Sequence, residues 1–498
     1  ECIETARADG RELHFVGTVV GTSHDPQDYD RSVKLLADAG AVMESSNARA
    51  VRAALAFKGI GYTEADRPTV DYTVKDNAPL PEPSEAVMEL LTTKPRVINV
   101  GVESFVDPLV KYGAKAVQYA WKPMAGGNKR MIHLLTELAK HDEIDGQNDR
   151  IVERFRASQP FLVDVRPAKD LIPEINGKVI LHAGPPIEYS HMTDPMQGSC
   201  VGAVLFEEWA DNEADARKLL ESGEVKFIPC HHVHAVGPMG GITSQNMPLV
   251  VVENRVDGTV GYCTMNEGIG KVLRFGAYSE EVVNRLRWMR DVLGPVLSAA
   301  LKLKEGGVNL NVLVAKAITM GDEFHQRNIA ASLCFLKEVA PFITHMEWDA
   351  KEKEEVIQFL ADTDQFFLNI MMAMGKAIVD YVRKDHEGCV VTTMCRNGEN
   401  FGVRISALGD EWFTAPVNTP NGLYFTGFAP EDANPDIGDS AITETVGVGA
   451  MAMIAAPGVT RFVGAGGFED ALATSNEMEK ICVTHNPAWT IPTWDFKG

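Results

Sequence analysis

A multidomain α/β and α+β fold is predicted for this sequence by three observations. The chain has 498 residues, against a usual domain length of roughly 100–200. It is 45% hydrophobic and 23% charged, enough apolar matter for sizeable cores and too little charge for global disorder. Short apolar runs alternate with segments of helical spacing, the pattern of sheets covered by helices.

The elements follow in order. Residues 1–65 form a partial flavodoxin- or Rossmann-like α/β unit: ELHFVGTVVGT reads as a buried strand, SHDPQD as a turn, RSVKLLADAGA and ARAVRAALAFKGIG as helices. Only one or two βα units of such a sheet are visible there. Residues 66–94, with DNAPLPEPSE, are Pro-rich and acidic and read as a linker. A small Rossmann-like unit follows at 95–160, with strands in KPRVINVGVESF and GAKAVQYAW, the loop PMAGGNKR and a helix. That loop offers backbone N–H groups and Lys129 or Arg130 to an anion. With neither GxGxxG nor GxxxxGK[ST] present, a plain tight turn is the preferred reading.

Residues 161–278 read as an α+β domain, with strands at FLVDVRPA, KVILHAGPPI and LVVVENR and helices at GAVLFEEWA and DARKLLESG. A helical insertion occupies 279–388. Ser279 resembles an N-cap; Val282, Leu286, Met289, Leu293 and Leu297 repeat at helical spacing, and Pro295 is expected to kink or end that helix. Phe366, Phe367, Ile370, Met371, Met374 and Ile378 make another apolar face, with the methionines as core filler. Residues 389–498 return to α+β structure with Gly-rich turns.

The formal net charge is −22, from 69 acidic and 47 basic side chains. Such a surface repels phosphate polymers and anionic membranes, so neither nucleic acid nor membrane is expected as a partner, while a local arginine cluster still admits a small anion. The eight cysteines, Cys2, Cys200, Cys230, Cys263, Cys334, Cys389, Cys395 and Cys482, form no CxxC pair and read as reduced, mostly buried thiols of a cytoplasmic protein. ECIETARADGRELHF shows no secretory signal, and the uncharged run at 445–460 is too short and too rich in Gly and Ala to span a bilayer comfortably.

The segment richest in chemistry is IPCHHVHAVGPMGGITSQNMP, 228–248. His231, His232 and His234 bring proton carriers to one place, and Gly237, Gly240 and Gly241 would let backbone donors approach a ligand. The same residues suit a buried, hydrogen-bonded histidine cluster under a turn. As a strand, the segment would turn His232 and His234 the same way, but a metal site there has no clear third ligand; a divalent metal is left open and no cofactor is required. Cys230 beside His231 is a poor nucleophile–base pair if extended.

Four other polar, Gly-rich stretches are expected to line a common cleft with it. In 181–195, His182 sits at a strand end. In 266–276, Asn266 and Glu267 with Lys271 and Arg274 orient a polar substrate or make surface pairs. In MGDEFHQRN, 320–328, a helix would put Asp322 and His325 on one face, with Arg327 and Asn328 as donors to an anion; a Glu323–Arg327 ion pair is the plainer alternative. In 432–445, Asp432, Asp436, Asp439 and Glu444 fit no EF-hand spacing, and an Asx-turn cluster capping a helix near Ser440 is preferred. HExxH and GxSxG are both absent.

Five of these stretches, PCHHVHAVGPMGGITSQNMP, NEGIGKVLRFGAYSEEVVNRLRWMRDVLGPVLSAAL, ITMGDEFHQRNIA, FTAPVNTPNGLYFTGF and ANPDIGDSAITET, occur in an order and form that resemble the AllG-type subunit of oxamate carbamoyltransferase, over about residues 95–498. GTSHDPQ, LADAGA and SSNARAVRAA, within 1–65, resemble the C-terminal end of its FdrA partner subunit, though without the region FdrA carries upstream; the chain also stops at WDFKG, before the Gly-rich tail usual in AllG-like proteins.

The resemblance implies carbamoyl transfer between oxalurate and phosphate, giving oxamate and carbamoyl phosphate, in allantoin breakdown, within an oligomer containing FdrA-like and AllH-like subunits. That chemistry needs an anion cradle, oxyanion donors and an acid for the departing nitrogen. Gly240 and Gly241 are candidate donors, Arg327, Arg396 and Arg404 anion holders, and His231, His232 or His234 the proton carriers. A metal-dependent ureide amidohydrolase and a non-catalytic organising subunit are the alternatives.

Overall fold

The computed structural model describes residues 2–61, 82–94, 96–420, 422, 424, 426–462 and 466–498. The chain divides into two compact units, Glu1–Pro123 and Met124–Gly498. The division falls inside the stretch read from sequence as one Rossmann-like unit.

In the first unit the helices Tyr29–Asp38 and Asn47–Phe57 form where their spacing predicts, each started by a side chain that accepts a free backbone amide: Asp28 from Arg31, Ser46 from Arg49. The long buried strand expected from ELHFVGTVVGT is instead two residues, Val16–Gly17, half-buried and paired in parallel with Val42–Met43. Arg96–Val100 and Lys115–Tyr119 make a second parallel pair. Part of the predicted linker, 66–81, lies outside the described residues. Its remainder carries a helix, Glu85–Thr92, capped by Ser84.

The second unit is built on a five-stranded sheet ordered Val308–Asn309, Pro160–Pro167, Pro248–Asn254, Thr259–Thr264, Ala235–Val236. Its pairs are antiparallel except the last, which is parallel. Onto it packs the helix Phe367–Val382, buried at every described position but Tyr381. Gly261 permits the approach: a Cβ there would press on the Ala373 carbonyl oxygen and come within 2.6 Å of the Ala377 nitrogen. Each large apolar side chain buried on this helix contributes about 1.5–3 kcal/mol. The methionines are core filler as expected, but Lys376 and Asp380 lie within the same buried run.

Of the two outcomes expected at Pro295, a kink or an end, the helix from Ser279 does not end there but loses its regular α form in the turn just before it. Glu280–Trp288 passes into a π-helical turn, Met289–Leu293, and continues as Gly294–Leu303. The wider turn, closed by the Gly294 amide on the Met289 carbonyl, makes room for a ring that a regular helix would clash with. A four-stranded sheet ordered Phe413–Pro416, Asn400–Ile405, Val391–Asn397, Ile437–Gly438 completes the frame. A parallel pair, Val179–His182 with Lys226–Pro229, carries the loops leading to the histidines.

Candidate active site

One segment, 436–444, supplies a carboxylate to each of two histidines that lie far apart in sequence. Glu444 meets His325, and Asp439 meets His231.

His325 lies in the loop between the helices Leu310–Thr319 and Ile329–His345. The helix predicted for 320–328 does not form: Gly321 and Phe324 take positive φ, 100° and 71°, and Glu323 folds back to accept the amides of His325, Gln326 and Arg327. Asp322 therefore does not face His325. It accepts the Ala331 amide at 2.7 Å, capping the next helix, and lies 3.5 Å from Arg327 Nε.

His325 Nδ1 is 2.7 and 3.0 Å from the two Glu444 oxygens, and Glu444 is steadied by the Thr443 hydroxyl and the Ala450 amide, both at 2.9 Å. Burial disfavours the imidazolium, but Glu444 and Glu323 outweigh it and raise the affinity of His325 for its proton. Glu444 is correspondingly held below the ordinary range against burial, by His325. Burial pushes Glu323 up to about 7. The side chain of Arg327 is 41% exposed while those of His325 and Glu444 are mostly covered, so the group lies at the edge of the unit.

Arg396 lies within electrostatic reach of both histidine sites. Its Nε donates to Asp436 at 2.7 Å, its Nη1 is buried without a hydrogen-bond partner among the described residues, and its charge acts on both His325 and Asp439.

The second histidine site is closed. Residues Cys230–Val233 form a 3-10 turn rather than a strand, and His234 ends it with φ 57°, so His232 and His234 do not face the same way. His231 is buried with Nδ1 3.3 Å from Lys376 Nζ and Nε2 3.5 Å from Asp439 Oδ1. Lys376 also reaches the His231 carbonyl at 3.3 Å and Asp380 at 2.8 Å; Asp380 in turn bonds His234 at 2.7 Å. Burial, then the charges of Lys376 and Arg404, hold His231 well below the usual imidazole range. His232 is exposed and accepts from Trp412 Nε1 at 2.8 Å. Burial also lowers His182, whose Nδ1 contacts the Ala183 carbonyl at 2.9 Å, to about 4.

The glycines serve packing here. A Cβ on Gly241 would sit 2.6 Å from the Ala183 nitrogen, and its amide is spent on the Pro238 carbonyl; the Gly240 amide faces the Arg274 carbonyl at 3.5 Å. The expected presentation of these two amides to a ligand is not what the chain does with them. Asp439 takes the Gly184 and Gly237 amides at 2.8 and 3.0 Å instead of capping a helix at Ser440. Arg404 is buried, bonded to Asp410 and to the His231 carbonyl, and stacked on Trp412. Asn328 is wholly buried. Glu267 lines a small cavity with Pro238, Gly241 and Arg274 and accepts the Leu273 and Arg274 amides, while Asn266 donates to the Gln365 carbonyl.

Sequence reasoning did not single out Lys376, Asp380, Cys395 or Trp412. Lys376 and Asp380, at i, i+4 inside an otherwise apolar helix, carried the one signal that was readable.

Fold and site thus define an α/β and α+β protein whose polar centre is made of histidine–carboxylate pairs flanked by arginines. No helix of the described residues is long and apolar enough to cross a membrane. Residues 225–440 match the family model described as oxamate carbamoyltransferase subunit AllG. The oxamate carbamoyltransferase subunit AllG of Escherichia coli K12 is 59% identical over 352 residues, 70% of this chain and 84% of that protein. The E. coli K12 protein YahG is 40% identical over 405 residues, 81% of this chain and 85% of its own. A crystal structure of a conserved protein of unknown function from Enterococcus faecalis V583 superposes with a TM-score of 0.70 at 41% identity, covering 72% of this chain and 85% of that one. The chain belongs to the AllG family.

Proposed function

We propose that the chain is a subunit of an oxamate carbamoyltransferase and that His325, held by Glu444, is its acid–base residue. The supporting observation is the doubly contacted His325–Glu444 pair beside Arg327 and Arg396. A phosphate oxygen attacks the ureido carbonyl of oxalurate, the bond from that carbon to the amide nitrogen breaks, and carbamoyl phosphate and oxamate form. The hydrogen phosphate gives up one proton and the departing nitrogen gains one. His325 Nε2 carries it, because Nδ1 is committed to Glu444. Glu444 is a positioning residue that keeps the imidazolium available. Arg327 and the free Nη1 of Arg396 are the holders of phosphate and carboxylate.

FdrA-like and AllH-like subunits are the proposed partners, in a cytoplasmic oligomer acting in allantoin catabolism; the FdrA part of that proposal rests on the sequence resemblance of residues 1–65 alone. The test is phosphate-dependent carbamoyl phosphate release from oxalurate by the chain alone and with those subunits, for wild type and His325→Gln. Activity in the complex, lost in His325→Gln, is expected. Full activity in the variant would move the chemistry to another subunit and leave this chain an organising role.

A further inference from the structure

His231, Cys395 and Asp439 bring an imidazole nitrogen, a thiol sulfur and a carboxylate oxygen within 4.8 Å of one another, and all three residues are buried. They come from separate parts of the chain: the 3-10 turn after one strand, the middle of Val391–Asn397, and the end of Ile437–Gly438. His231 Nε2 is fully covered and makes no hydrogen bond with the described residues, although it points to within 3.5 Å of Asp439 Oδ1.

The surrounding charges are already matched. Lys376 holds Asp380 at 2.8 Å, Arg396 holds Asp436 at 2.7 Å, and Arg404 is joined to Asp410. Among the described residues Asp439 makes no ion pair with a lysine or arginine, although the charges of Arg396 and Lys376 reach it; its oxygens take two backbone amides and face the bare imidazole nitrogen. Burial outweighs those two charges, and a cation between the carboxylate, the imidazole and the thiolate offsets that cost. Two more buried thiols, Cys230 and Cys263, lie within electrostatic reach of Asp439.

We propose that His231 Nε2, Cys395 Sγ and an Asp439 oxygen bind one divalent transition-metal ion, zinc by preference, in a closed structural site. The mixed nitrogen, sulfur and oxygen set suits zinc better than calcium or magnesium, which take oxygen alone. Ligand atoms around tetrahedral zinc stand roughly 3.3–3.8 Å apart, so the three atoms, all within 4.8 Å of one another here, draw together on loading. Coordination puts the imidazole proton on Nδ1, so Lys376 gives up that contact and keeps Asp380 and the His231 carbonyl. Cys395 binds as thiolate and releases its proton to solvent. The site stands independently of the transferase reading, and its readout needs no turnover.

The purified full chain, stripped with a chelator, is titrated with zinc and with cobalt(II). One metal per chain and a thiolate-to-cobalt charge-transfer absorption are expected, with a rise in Tm on zinc. Cys395→Ser should abolish the absorption and weaken zinc by about 10-fold or more, while Cys334→Ser, a buried thiol elsewhere, leaves both intact. A folded wild-type chain that retains no metal and gives no thiolate absorption overturns the site, and so does an absorption that survives Cys395→Ser. Because the wild-type titration decides alone, a variant that fails to fold does not blunt the test.

Discussion

His325 Nδ1 lies 2.7 Å from Glu444 Oε1, joining residues 119 positions apart into one acid–base pair. Glu444 raises the affinity of His325 for its proton. Glu444→Gln removes the negative charge, so the His325 pKa falls. If His325 acts as the acid, the alkaline limb of the rate profile moves to lower pH, and activity at pH 8 suffers more than at pH 6. His325→Gln is expected to cost ~10²–10⁴-fold in kcat at all pH values. Steady-state rates across pH on the assembled complex check both; an unshifted limb in Glu444→Gln rules out the coupling.

The same pair sets a pH window for stability. The folded pKa of His325 is raised above its ordinary 6.5, so its contribution is full below 6.5 and is lost as pH rises through the raised value. The folded pKa of Glu444 is lowered from 4.5, so its contribution is present above 4.5 and is lost as pH falls through the lowered value. Between about 4.5 and 6.5 both operate. The Tm difference between wild type and the His325→Gln/Glu444→Gln double variant should be greatest there. A difference constant from pH 4 to 9 would contradict the linkage.

The limits of sequence reading can be seen in these residues. Helices at 29–38, 47–57 and 367–382 were readable because apolar spacing acts locally. The loop 320–328 was misread because its polar residues fit an i, i+4 pattern, while the fold spends Glu323 on three backbone amides. The polar, Gly-rich stretches were recognisable as unusual. Which carboxylate faced which histidine was not, because that pairing is made by the tertiary fold bringing turns from distant parts of the chain together.

Lys376 and Asp380 are the buried pair that sequence passed over, and they should behave as one unit. Lys376→Met leaves Asp380 buried without its main cation, at a cost of about 3–5 kcal/mol. Replacing both by apolar residues of similar volume should recover much of that loss, since neither charge is then stranded. Urea unfolding of the two single variants and the double variant measures the coupling. Additive losses would show that the two charges do not depend on each other.

Gly261 is a packing position with no room for a side chain, since a Cβ would meet the Ala373 oxygen and the Ala377 nitrogen of the core helix. Gly261→Ala should destabilise the chain by about 1–3 kcal/mol through displacement of that helix from the sheet. The readout is the denaturation midpoint, and a variant as stable as wild type would show that the helix shifts freely.

A substitution at Arg396 is expected to separate substrate holding from proton transfer. Its Nε and Nη2 face Asp436, at 2.7 and 3.4 Å, while the buried Nη1 has no partner among the described residues. Arg396→Lys keeps a charge for Asp436 but loses the separate Nη1 donor left over for a phosphate or carboxylate. KM for phosphate or oxalurate should therefore rise by about 10-fold or more, the effect of losing one charge-assisted contact of about 1.5–3 kcal/mol, with a smaller change in kcat. His325→Gln should show the opposite split, with kcat falling and KM nearly unchanged. If Arg396→Lys lowers kcat alone, Arg396 acts on the proton of His325 rather than on the anion, and the cradle must be sought at Arg327.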